Sequence, residues 1–236
     1  ALDVTNPSPL LNAESGSTAQ SIFKWQFTSD DDVDLGYLSN DYVTNNASKQ
    51  PMPIAKMNNG KFAYLIGNGY KSTNGKAALY ILFADGPGNA VWTPGTEYVK
   101  IIVESTAGNN GLSQVTWLDL DGNGTADVAY GGDLRGNMWK IDLSGTTPAA
   151  WDVAYKTAGI NSPLFTAKTG TAGDDAIGRL PITTAPQYAF SAFNGPIILF
   201  ATGNAFETAD YPRLAVPQRV YAVWDRPEFK VGSRAL

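Results

Sequence analysis

The first apolar pattern in this chain has a period of two. Residues 21–27 alternate polar and apolar positions, with Phe23, Trp25 and Phe27 on one face. Such alternation predicts a half-buried strand, here over about residues 21–28. Three aromatic rings on one strand face need a surface to cover them. We therefore expect all three to pack against the next sheet of the chain.

From residue 52 the pattern becomes a repeat of strand, turn, long apolar strand and further strand. Three units are predicted, at about 52–104, 112–156 and 181–226. The predicted strands are 53–57, 61–69, 78–83 and 98–103 in unit one, 115–118, 126–132 and 137–143 in unit two, and 185–190, 197–203 and 220–224 in unit three.

Corresponding positions in the three units follow from this alignment. Asn68, Gly132 and Gly203 are predicted to occupy matching places in the three units. The Asn-Gly pairs at 59–60 and 194–195 are predicted to close the first hairpins of units one and three as type I′ turns.

Repeated antiparallel four-stranded units predict an all-β fold, either a β-propeller or a multi-blade segment of a modified propeller. Residues 1–236 then form a single propeller domain or segment, with the units stacked as adjacent blades. The strand at 21–28 would belong to a neighbouring or completing blade. We expect the aromatic residues of the repeats, Tyr80, Trp139, Tyr221 and Trp224, to pack between the sheets.

Three units and a partial one do not close a ring, because four blades are the practical minimum. The chain also begins Ala-Leu-Asp instead of with Met. Both features lead us to expect a piece of a longer protein.

Unit two carries an acidic loop in place of the short hairpin turn. Asp119, Asp121 and Asn123 stand at alternate positions, Asp127 follows four residues later, and glycines lie at 122 and 124. Side-chain oxygens at this spacing, with the Thr125 carbonyl, predict a Ca²⁺ site. It is not an EF-hand, since the twelfth position is Tyr130 instead of Glu.

A second acidic stretch, Asp30-Asp31-Asp32-Val33-Asp34, also raises the question of a cation site. Consecutive acidic residues without glycine do not converge well on one ion. We therefore predict a charged surface loop here.

Composition removes several classes of chemistry. The chain has no His and no Cys, which excludes Ser-His and Cys-His catalysis, thiolate zinc sites and disulfides. The net charge of −5 argues against a nucleic-acid partner, which is usually met by a basic face. No run of about 18 apolar residues is present, so no membrane-spanning helix is predicted.

Six separated motifs occur in the order found in one known family. They are Leu35–Tyr37, Gly67–Tyr70 with Ala78–Tyr80, Asp119–Leu143, Pro163–Ala167 with Pro181–Pro186, Thr202–Gly203, and Tyr221–Asp225. In these motifs, over about residues 21–226, the chain resembles the C-terminal propeller of type IV pilus tip and biogenesis proteins, the PilY/neisserial PilC adhesin family.

The resemblance implies a non-enzymatic modified propeller whose single calcium loop matches Asp119, Asp121, Asn123, Thr125 and Asp127. It implies a role in pilus extension and retraction, with minor pilins as partners and, in some members, adhesion to a host-cell ligand. It further implies export through the periplasm to the bacterial surface, the pilus tip or the outer membrane.

Two other functions stay open. A propeller enzyme, either a quinoprotein-like dehydrogenase or a glycoside hydrolase, would need convergent groups on the propeller axis. An integrin-like calcium-dependent adhesion propeller would carry acidic loops in successive blades, whereas this chain has one such loop.

Overall fold

The computed structural model describes residues 22–38, 53–169, 178–192, 194–206 and 217–226, together with Ser8 and Leu11. The all-β prediction is confirmed. The strands are β1 Ile54–Lys56, β2 Phe62–Gly67, β3 Ala77–Phe83, β4 Tyr98–Glu104, β5 Leu112–Leu118, β6 Val128–Asp133, β7 Asn137–Asp142, β8 Asp152–Val153, β9 Lys156–Thr157, β10 Ile160–Asn161, β11 Phe165–Thr166, β12 Gln187–Phe190, β13 Pro196–Ala201 and β14 Val220–Trp224. A short 3-10 helix covers Pro148–Ala150. No helix in the described part of the chain is long and apolar enough to cross a membrane.

Each predicted unit forms an antiparallel sheet of its own. Unit one is a four-stranded sheet in the order β1-β2-β3-β4. Its third strand is buried at all seven positions, as expected for a continuous apolar run covered on both faces. In the described residues, unit three has the order β12-β13-β14. Both sheets pair neighbouring strands as the sequence pattern predicts.

Unit two differs in how its outer edge is made. Its order is β5-β6-β7, and β7 then pairs with two short strands instead of one. β8 lies opposite Ile141 and Asp142, while β11 lies opposite Met138 and Asn137. The β9–β10 hairpin lies between these two short strands in the chain. The sheet therefore extends to Thr166, beyond residue 156 where the sequence pattern placed its end.

The sheets stack on one another through two shared cores. In the first core, Leu65 and Leu79 of unit one meet Trp139 and Ile141 of unit two. In the second core, residues of units two and three meet, among them Tyr130, Met138, Ile198 and Phe200. The units are thus adjacent, as predicted. The expected packing of aromatic rings is found for Tyr80 and Trp139, which are fully buried, and for Tyr221, which packs against the second core. Trp224 is half-buried, but it is in neither of these cores, and Arg226 lies over its ring.

The N-terminal segment does not form the predicted strand, because residues 24–28 pair with no ladder. Side chains hold it on unit one instead. The Phe27 ring lies 5.3 Å from that of Tyr80 and 5.1 Å from that of Trp92, and Trp25 Nε1 donates to the carbonyl oxygen of Ala84 at 2.8 Å. Packing is confirmed for these two residues. It is wrong for Phe23, which is 49% exposed.

The acidic stretch after this segment is not a surface loop throughout, which corrects the sequence prediction. Asp32 and Asp34 are buried, and Lys100 Nζ on β4 lies 2.8 Å from Asp32 and 3.0 Å from Asp34. The Tyr98 hydroxyl donates to Asp32 at 3.0 Å. Burial acts to raise the pKa of Asp32. The hydrogen bonds from Lys100, the Asp34 backbone and the tyrosine hydroxyls outweigh burial, so the pKa is lowered. A distant lysine therefore allows these acids to be buried.

The Asn-Gly pairs lie in the hairpins as predicted, but the turn type is wrong in both. In unit one, Gly60 has a positive φ of 84° while Asn59 does not, and Met57 N–H donates to Lys61 O across a three-residue loop. In unit three, Asn194 and Gly195 both have positive φ, but the loop spans residues 191–195. A two-residue type I′ turn is present in neither.

The structure also corrects which residues occupy matching places. Each unit has a buried polar side chain at the end of its second strand. This side chain accepts a hydrogen bond from the backbone N–H of a residue at or just before the start of the next strand. Asn68 accepts from Ala78 at 3.0 Å, Asp133 from Asn137 at 2.8 Å, and Thr202 from Arg219 at 2.9 Å. Asp133 and Thr202 take these places, each one residue from the glycine predicted there.

A buried ion pair joins units two and three. Asp225 directly follows β14 and is 1% exposed. Its carboxylate lies 2.6 Å from Lys140 Nζ on β7 and accepts the hydroxyls of Tyr130 and Tyr155 at 2.7 and 2.6 Å. Burial acts to raise the pKa of Asp225, but the Lys140 charge and these hydrogen bonds outweigh burial and lower it.

Candidate metal centre

The acidic loop connects two buried strands of unit two. The pair Leu118–Val128 ends the β5–β6 ladder, so residues 119–127 lie outside it. Gly122 and Gly124 adopt positive φ angles of 80° and 84°, a region that costs glycine little and other residues more. The two glycines allow the chain to curl back over its own acidic side chains.

The curl brings three carboxylates together. Asp119, Asp121 and Asp127 each place one oxygen within 4.8 Å of the other two. Two oxygens on opposite sides of a Ca²⁺ ion, each at 2.3–2.6 Å, are separated by roughly 4.6–5.2 Å. The spacing of the three carboxylates therefore fits a single ion. Asp127 is buried, Asp119 is half-buried and Asp121 is exposed, so the group opens toward solvent on one side.

Backbone amides of the loop orient two of these carboxylates. Asp119 accepts from the amides of Gly122 and Gly124, both at 2.7 Å. Asp127 accepts from the Leu120 amide, also at 2.7 Å. Partial burial acts to raise the pKa of Asp119, but the amide hydrogen bonds from Gly124, Gly122 and Asn123 outweigh it and lower the pKa. Asp119 is therefore held in its charged form, which is the form that binds a cation.

The other two predicted ligands lie beside this group. Asn123 Nδ2 donates to Asp121 at 2.9 Å, and Asn123 Oδ1 accepts the Thr125 amide at 2.8 Å. Thr125 also contacts Asn123 Oδ1 through its hydroxyl. Asn123 as a side-chain ligand stays a prediction, because its Nδ2, and not its Oδ1, faces Asp121. The Thr125 carbonyl as a ligand stays a prediction.

The chemistry of the donor set favours a hard cation. Across the described ranges, neither lysine nor arginine forms an ion pair with the three loop aspartates, whereas Lys100, Lys140 and Lys156 pair with aspartates elsewhere. Three carboxylates so close together repel one another by about 1 kcal/mol per pair even in water. An oxygen-only group of this charge fits Ca²⁺.

Sequence reasoning missed one residue at this site, Asn58. It lies in the β1–β2 hairpin of unit one, and its Nδ2 donates to the carbonyl oxygen of Ala126 at 2.9 Å. Its Oδ1 accepts the Thr125 hydroxyl at 2.8 Å. No local pattern indicates this contact, because Asn58 is 68 residues before Ala126 in the chain. In the sequence it is simply one residue of a hairpin turn.

Comparison with known proteins agrees with the fold. A family model described as the PilY1 beta-propeller domain matches residues 15–234. The chain is 33% identical over 244 residues to a type IV pilus biogenesis factor PilY1 homolog of Xylella fastidiosa, covering 100% of this chain and 14% of that protein. It is 31% identical over 249 residues to the type IV pilus biogenesis factor PilY1 of Pseudomonas aeruginosa strain UCBPP-PA14, covering 96% of this chain and 18% of that protein.

The crystal structure of the Pseudomonas aeruginosa PilY1 C-terminal domain is similar in three dimensions. Its TM-score with this chain is 0.66 and its sequence identity 30%, over 89% of this chain and 41% of that one. Together with the family match, this likeness confirms the predicted β-propeller fold.

Proposed function

The chain belongs to the PilY1 beta-propeller family, and from that premise we propose that it acts in type IV pilus biogenesis as a calcium-binding, non-enzymatic propeller. The relatives cited above are named type IV pilus biogenesis factors. The chain spans 14% and 18% of their lengths. The activity of the whole protein is therefore part of the proposal.

The observation that carries the calcium proposal is the convergence of Asp119, Asp121 and Asp127 within 4.8 Å. The side chains of these three residues and of Asn123 would hold the ion, with the Thr125 carbonyl as a further ligand. Bound Ca²⁺ supplies two positive charges that offset the repulsion among the carboxylates. Mg²⁺ is expected to compete poorly, because it requires a tight octahedron and loses its water reluctantly.

The proposed role is regulatory and adhesive. The loop lies partly exposed at a junction between two units, so an ion that orders it changes a surface that partners can meet. By family membership we place this surface at the bacterial exterior or the pilus tip, reached by export through the periplasm. Minor pilins are the proposed partners, with a host-cell ligand as a further one. The ion then shifts the balance between pilus extension and retraction.

Calorimetry tests the calcium site directly. We expect Ca²⁺ to bind the wild-type chain with one site, and Asp121→Ala to abolish the binding heat, because one of the three carboxylates is removed. Asp85→Ala is the matched control, since Asp85 is an exposed aspartate outside the loop. Equal heats for the wild type and Asp121→Ala would overturn the calcium site.

The cellular role needs a separate measurement in the full-length protein. Asp121→Ala is expected to alter the number of surface pili and their retraction, while Asp85→Ala leaves both unchanged. If calcium binding is lost and pilus behaviour is unchanged, the site exists but does not regulate the pilus.

A further inference from the structure

Asn58 contacts the metal loop of unit two from the hairpin of unit one. Its Nδ2 donates to the carbonyl oxygens of Ala126 at 2.9 Å and Leu143 at 3.1 Å. The same nitrogen lies 3.5 Å from Asp127 Oδ1, a carboxylate of the proposed site. One side chain thus touches the end of the loop, one of its ligands and the end of β7.

The backbone joins the same two elements. The Ala126 amide donates to the Lys56 carbonyl at 2.9 Å, and Met57 and Ala126 form a parallel bridge. Met57 and Ala126 are both fully buried. The C-terminal end of the loop is therefore part of the junction between units one and two.

The Thr125 hydroxyl connects the loop ligand Asn123 to Asn58. It contacts the side-chain oxygens of both residues, but a hydroxyl has one proton and donates one such bond at a time. Asn123 Oδ1 also accepts the Thr125 amide, and a carbonyl oxygen has two lone pairs. If a cation takes the second lone pair, the hydroxyl proton is left to Asn58.

We propose that Asn58 is a positioning residue that couples occupancy of the metal loop to the β1–β2 hairpin of the neighbouring unit. This inference rests on the proposed calcium site. Binding of Ca²⁺ at 119–127 directs the Thr125 hydroxyl to Asn58, whose amide already holds Ala126 and Leu143. The ion then reduces the motion of the β1–β2 hairpin of unit one as well as that of its own loop. Its effect therefore extends across the junction between units one and two.

Hydrogen exchange on the intact chain, with and without Ca²⁺, tests this. In the wild type, Ca²⁺ is expected to slow exchange in peptides covering both 119–127 and 54–62. Asn58→Ala should keep the protection of 119–127 but lose that of 54–62. It should also weaken Ca²⁺ binding by roughly threefold to tenfold, the effect of one hydrogen bond. Asn59→Ala is the matched control, because Asn59 Oδ1 accepts Lys61 N–H within its own turn.

A second variant keeps the test decisive if Asn58→Ala does not fold. Thr125→Val removes the hydroxyl but retains the backbone carbonyl, so it should also lose calcium-dependent protection of 54–62. If the wild type binds Ca²⁺ and the hairpin peptide does not respond, or if both variants respond as the wild type does, the coupling is wrong while the calcium site stands. If the wild type does not bind Ca²⁺, the proposed function itself fails.

Discussion

At the scale of single residues, charged side chains determine how the units are fastened together. Asp225 can be buried because Lys140 neutralises its charge and two tyrosine hydroxyls donate hydrogen bonds to its carboxylate. Removing one partner of such a group leaves the others buried and unpaired. Asp152 offers a contrast, since its ion pair with Lys156 is exposed on both sides.

We expect Asp225→Ala to lower the free energy of unfolding by about 3–5 kcal/mol, because Lys140 and the two hydroxyls lose their buried acceptor. Asp152→Ala should change it by less than about 1 kcal/mol, as exposed pairs do. Urea denaturation followed by tryptophan fluorescence measures both. Equal losses in the two variants would show that the buried ion pair does not fasten units two and three.

At the scale of elements, the junction between units one and two is a contact of backbone against backbone. A Cβ added at Gly111 would lie 1.6 Å from the Gly69 carbonyl oxygen, and one added at Gly67 would lie 2.0 Å from that of Ser113. These distances leave no room for a side chain. The end of β2 and the start of β5 can therefore approach each other only through glycine.

Gly111→Ala is expected to destabilise the chain by more than about 3 kcal/mol or to prevent folding, since backbone atoms must move apart. Gly88→Ala is the control: its added Cβ meets nothing within 4 Å, so a change within about 1 kcal/mol is expected. Thermal unfolding followed by circular dichroism compares them. A Gly111→Ala variant as stable as Gly88→Ala would contradict this close contact.

At the scale of the whole molecule, unit two is the centre of the packing. It shares one core with unit one and a second core with unit three, and the metal loop lies on the unit-one side. Because unit one and unit three each bury one face against unit two, we expect the described units to unfold together instead of one by one.

A single calorimetric unfolding transition is therefore expected, and Ca²⁺ should shift it. At a free concentration about 100 times the Kd, binding contributes about 2.7 kcal/mol, which raises Tm by roughly 5–10 °C in a chain of this size. A chelator should reverse the shift, and Asp121→Ala should abolish it. Separate transitions would show that the two cores do not couple the units.

The sequence by itself determined the features that depend on neighbouring residues. Strand pairs and the order of the units follow from alternation and turns, and β14 lies where the pattern placed it. The acidic loop is equally local, because the spacing of Asp119, Asp121 and Asp127 and the two glycines bring the carboxylates together. The sequence pattern located the corresponding positions of the three units only to within one residue. It selected Gly132 and Gly203, whereas the neighbouring Asp133 and Thr202 make the equivalent hydrogen bonds.

The tertiary structure alone decided which distant groups meet. Asp32 and Asp34 are buried because Lys100 reaches them from β4. Residues 24–28 join none of the sheets in the described part of the chain, because aromatic packing, not a ladder, attaches them. Asn58 reaches the metal loop only because the sheets of units one and two stack. Such partners are far apart in the chain, and local periodicity contains no information about which surfaces will face each other.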